Sequence, residues 1–107
     1  MTFAAAALSA DYETVATFHH EAIKAFRAAV EDRGYDWADA DAIYSEEAAR
    51  IKTAGGWDAY KRTPRAGSAY PISRAVRAAA FDLYTMGAAL HRVTRPADGV
   101  DACAVYR

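Results

Sequence analysis

The chain has 107 residues, about one domain's worth, which excludes a second independent core. Its hydrophobic content of 53% is dominated by 28 alanines, whereas Leu, Ile, Val and Phe together number only 17; at a net charge of −1 this favours alanine-lined helices over disorder. The single cysteine, Cys103, excludes an internal disulfide and fits a reducing, cytoplasmic setting, while apolar residues 1–8 lack the basic flank of a secretory signal and are too short to span a bilayer.

From Asp11 to Arg33 the residues Tyr12, Val15, His19, Ala22, Ile23, Phe26, Ala29 and Val30 recur at the three-and-four spacing of one helical face. A helix is expected over about 10–33, closed by Gly34 in the left-handed conformation, with Thr17, Glu21 and Lys24 along its wet side. A second helix is expected over 37–54, with Asp36 as its N-cap and Asp39 in its first turn. Trp37, Ala40, Tyr44, Ala48 and Ile51 are its expected buried stripe, Glu46 and Arg50 an expected ion pair, and Gly55-Gly56 its stop. Residues 57–62 are expected to add a short helical turn that Pro64 ends, with a loop following to Pro71.

The last helix is expected over 71–95, with Pro71 in its first turn. Ile72, Val76, Ala79, Leu83, Met86, Leu90 and Val93 follow at spacings of 4, 3, 4, 3, 4 and 3, a seam that demands a facing helix along its whole length. Either the first long helix packs there in an antiparallel bundle, or a second copy of the chain does, so the seam allows a monomer or a homodimer. Gly87 permits close backbone approach in both arrangements. Beyond Pro96 a short extended tail is expected. The fold class is therefore all-α, a small bundle of three to four helices with a short extended C-terminal tail.

No motif points to catalysis. His19 and His20 are adjacent and point about 100° apart on a helix, so they cannot share a metal, and neither has a carboxylate or histidine partner at three or four residues. Asp36, Asp39 and Asp41 do not follow the ligand spacing of a calcium loop, since counting from Asp39 the required glycine position is Tyr44. Neither Cys103 nor the serines sit in a nucleophile signature, and no phosphate-binding glycine loop is present. The expectation is a protein without metal, cofactor or enzymatic activity.

Charge partition carries the functional expectation. Residues 1–50 hold ten acids against four bases, and residues 51–107 nine bases against four acids. Between Glu31 and Glu47 seven acids face one base. Interleaved there with the aromatics Tyr35 and Trp37, the residues Glu31, Asp32, Asp36, Asp39, Asp41, Glu46 and Glu47 form a candidate contact surface for a protein partner with a basic surface. Small single-domain inhibitors of phages and mobile elements share this size and lack of motif. An acidic face occupying the nucleic-acid channel of a host defence complex, as an anti-CRISPR-like inhibitor does, is the concrete version of that expectation. The alternative is a nucleic-acid-binding or transcription-regulating domain using Arg62, Arg65, Arg74, Arg77, Tyr84, His91 and Arg95, cations interleaved with an aromatic ring. A third account, simple pairing of the acidic second helix with the basic last helix, explains the same residues without any partner.

Overall fold

A computed structural model describes residues 1–65 and 67–94, and among them five helices form: α1 (Phe3–Ala7), α2 (Tyr12–Asp32), α3 (Trp37–Ala54), α4 (Trp57–Tyr60) and α5 (Arg74–Val93). The all-α class read from the sequence is the observed one. Arg95, Cys103 and the expected extended tail lie outside the described residues.

Side-chain caps set the helix starts. Asp11 accepts from the Thr14 N–H to open α2, and at α3 Asp36 and Asp39 cap each other's backbone N–H reciprocally. Gly34 and Gly55, at φ of 87° and 83°, adopt the left-handed conformation that ends α2 and α3, as their positions predict. At α5 the expectation is corrected: Ser73, accepting from the Val76 N–H, is the N-cap, and Pro71 lies ahead of the helix. A serine that satisfies a free N–H outcompetes a proline that merely tolerates its absence. Also unforeseen is α1, where Thr2 caps five residues that the sequence reading treated only as a possible leader.

α5 is the central strut. Its most extensive partner is α2: Gly87 lies against His19, and Leu83 shares a cleft with Ile23 and Phe26, so the two helices run antiparallel. The seam of Val76, Leu83, Met86 and Leu90 is buried within this one chain, each such side chain contributing about 1.5–3 kcal/mol on transfer from water. Ala80 and Ala89 are buried beside it, which brings neighbouring backbones close. On other sides α1 and α3 pack against α5, with Phe3 edge-on to Phe18 of α2 and the Arg92 guanidinium donating to the Ala7 and Ser9 carbonyls at 2.7 and 3.0 Å. That clamp holds the N-terminal turn to the far end of α5. Among the described residues no helix is long and apolar enough to cross a membrane.

Candidate functional site

The start of α3 meets the end of α2 on one charged face. Trp37, expected in the buried stripe, is instead 57% exposed. Its ring lies 4.0 Å from the Arg27 guanidinium carbon, and its indole N–H donates to Glu31 at 3.0 Å. The stripe that α3 does bury is Ala40, Ile43, Glu47 and Ile51, shifted by one position around the helix, with Tyr44 and Ala48 half-buried. Helical periodicity alone leaves such a shift open, because both stripes have three-and-four spacing. Beside Trp37, α2 and α3 diverge around a cleft of about 210 Å³ lined by Ile23, Phe26, Arg27, Asp41, Tyr44 and Leu83. Burial and the nearby Tyr84 push the Tyr44 phenol up to about 12.

Of the acids at the end of α2 and the start of α3, Glu31, Asp32, Asp36 and Asp41 are exposed and Asp39 is half-buried; Asp41 lines the cleft, and none of the five forms an ion pair with a described residue. Tyr35 plays a different part: its hydroxyl donates to the Pro71 carbonyl at 2.8 Å and its ring stands edge-on to Tyr70 at 5.7 Å, so it anchors the loop before α5. Arg27 is the contributor that the sequence reading missed. Its spacing of four from Glu31 placed it beside that acid, but its stacking on Trp37 needed the turn at residues 33–36 to bring the two helices together.

Two of the candidate acids belong to the interior. Glu47 is fully buried and cannot serve as a contact residue. It pairs with Arg50 at 3.1 Å, with Arg77 at 3.4 Å and with Arg65 at short range, and accepts from the Tyr60 hydroxyl at 2.7 Å. Burial, with the Glu47 hydrogen bond and charge, raises the Tyr60 phenol far above its ordinary range. Glu46 is half-buried and pairs with Arg65 at 3.1 Å, while Arg50 bonds only the backbone carbonyl of Glu46, so the expected Glu46–Arg50 pair is not formed. The reason is geometric. Glu47 sits on the core side of α3, and three guanidiniums converge on it because it is the buried charge that most needs compensation.

The basic candidates are divided by the same cluster. Arg65 and Arg77 are withdrawn into it: Arg77 also donates to the carbonyls of Tyr60 and Lys61 at 3.0 and 2.9 Å and to that of Thr63, and Arg65 reaches Ser68 at 2.7 Å and the Tyr70 carbonyl. Both therefore secure the chain leaving α4 rather than facing solvent. Arg62 and Arg74 remain exposed, His91 is exposed near the end of α5, and Tyr84 is half-buried, so the six candidates among the described residues do not assemble into one surface. Tyr84 lines a separate groove of about 480 Å³ with Leu8, Ile51, Phe81 and Arg92.

His19 is half-buried against Gly87, where burial, and then the neighbouring His20, lower its pKa. Among the described residues no three of His, Cys, Asp and Glu come together in a way that could hold a metal ion. Comparison with protein-family models, with curated proteins and with solved structures finds no match for this chain.

Proposed function

We propose that this protein is a non-enzymatic binding module that presents the Trp37 face to a protein partner with a basic surface. The observation that supports the reading most is the exposure of Trp37 beside a cleft that Asp41 lines, with Glu31 accepting its indole N–H and Asp32 and Asp36 exposed nearby in sequence, none of the four forming an ion pair with a described residue. A large aromatic anchor with a polar, charged rim is the arrangement that interfaces concentrate energy on. Meanwhile the pairing of acidic and basic halves within the fold consumes Glu46, Glu47, Arg65 and Arg77 and leaves the acids near Trp37 over. A nucleic-acid channel of a host defence complex, lined by cations that normally hold phosphates, is the partner class that such a face would block by standing in for the phosphates.

The test is capture of partner from a lysate of the native host, with bound protein identified by mass spectrometry. Glu31→Lys, Asp32→Lys and Asp41→Lys together with Trp37→Ala are expected to abolish capture at unchanged helical content; Asp36 and Asp39 are spared because they cap α3. Arg62→Glu with Arg74→Glu is expected to leave capture intact. Binding of DNA or RNA by the wild type at physiological salt, weakening by a slope of about −0.9 per duplex phosphate and unaffected by the acidic-face variants, sinks the reading in favour of nucleic acid.

A further inference from the structure

α4 and the middle of α5 enclose a small cleft of about 270 Å³, lined by Trp57, Ala78, Phe81 and Asp82. Its two lining rings, Trp57 and Phe81, belong to a three-ring cluster with the buried Tyr60. Phe81 stacks on Tyr60 at 6.0 Å with 20° between the planes, and Trp57 meets Phe81 edge-on at 5.5 Å and Tyr60 at 5.9 Å. Tyr60 is itself fixed by its hydrogen bond to Glu47, so the aromatic wall is tied to the buried ion cluster. Such a wall is held in place before any ligand arrives.

Asp82 is the odd residue in this setting. It is the single acid between Lys61 and Arg95, a stretch with seven bases, yet it makes no hydrogen bond or ion pair with a described residue. The positions three and four away on α5 are Ala78, Ala79, Thr85 and Met86, so no helical neighbour supplies a positive charge. Lys61, the nearest base of the α4 segment in sequence, is engaged with Asp58 at 3.1 Å. Half-buried and unpaired, the carboxyl is held above the usual carboxylate range by desolvation. Partial desolvation without a partner is a cost that a bound cation removes.

The chemistry of that cation follows from the walls. Aromatic rings attract positive charge through their quadrupole but cannot replace the water shell of a compact inorganic ion, whereas an organic cation spreads its charge over apolar surface. We propose that the cleft formed by Trp57, Phe81 and Asp82 binds the head group of an organic cation, an alkylammonium or a guanidinium. Its carboxylate supplies the counter-charge and its rings supply the apolar, polarised wall. This cleft shares no lining residue with the one beside Trp37, although their α5 contributors, Asp82 and Leu83, are neighbours in sequence. Such a head group comes either from a free quaternary ammonium compound or from a lysine or arginine side chain of a polypeptide.

Nitrogen-15 spectra of the full chain resolve the question, because its two tryptophans provide two indole N–H signals, assigned with Trp37→Phe. Choline chloride, N-acetyl-lysine amide and N-acetyl-arginine amide are titrated separately, with sodium chloride matched in ionic strength. The Trp57 signal is expected to shift saturably with at least one organic cation and not with sodium. Asp82→Asn, which removes charge at constant shape, is expected to weaken that binding by about tenfold while the protein stays folded. Tightest binding of choline assigns the free quaternary ammonium source, and tightest binding of an amino-acid amide assigns the polypeptide side chain. The proposal is overturned if sodium moves the Trp57 signal equally, if no organic cation gives a saturable shift, or if Asp82→Asn binds as the wild type does.

Discussion

The Arg77 Nε lies 3.4 Å from the Glu47 Oε1, and this pair joins the first half of α5 to the middle of α3 through the protein's interior. Around it Arg50, Arg65 and Tyr60 complete a cluster in which the chain between α4 and α5 is fastened by side chains from two helices. Guanidiniums satisfy the backbone carbonyls of Thr63, Pro64 and Tyr70, which is how irregular chain can lie against a core at those positions without orphaned acceptors.

Removing the shared acid exposes the cost of that design. Glu47→Ala leaves three guanidiniums without their common counter-charge and is expected to lower stability by about 3–5 kcal/mol, a large part of a typical total of about 5–15 kcal/mol. Glu47→Gln, which preserves volume, separates charge from packing: it is expected to be destabilising as well. Urea denaturation followed by circular dichroism measures both, and a Gln variant with wild-type stability would show that the cluster is held by shape alone.

Within one chain the α5 seam packs against α2, the first of the two arrangements that its spacing allows. Leu83→Asp places an uncompensated charge against Phe26 and Ile23 and is expected to unfold the protein rather than merely dissociate it. Circular dichroism and light scattering on one sample provide the check. A variant that stays helical while its mass halves would assign the seam to a homodimer instead.

High pH should weaken the fold through its buried phenols. Tyr44 is pushed up to about 12 from an ordinary value of 10.0, and Tyr60 is raised further. Between about 10 and 12 the folded state therefore retains protons that the unfolded chain has released, so stability falls as pH rises through that window. Tyr44→Phe removes one of the two groups without touching the Glu47 cluster and is expected to flatten the decline. Denaturant midpoints measured at a series of alkaline pH values test this; an unchanged slope in Tyr44→Phe would exclude the tyrosine as its source.

Local chemistry was legible in the sequence. The periods of α2 and α5, the Asp36 N-cap with Asp39 in the first turn and the glycine stops at Gly34 and Gly55 depend on residues within a few positions of each other, and the all-α class follows from them together with alanine content. Even the half-buried place of His19 was readable from its position on the apolar face.

Only the tertiary structure decided what each α3 side chain faces. Trp37 and Glu47 exchanged the places that hydrophobicity assigns them: the indole lies outward because Arg27 and Glu31 of α2 receive it there, and the carboxylate lies inward because Arg50, Arg65 and Arg77 converge on it. Two of those arginines come from beyond the end of α3, 18 and 30 positions along the chain, and no periodicity records a partner at such a distance. Burial of a charge is set by the sum of its partners, and that sum exists only once the helices have packed.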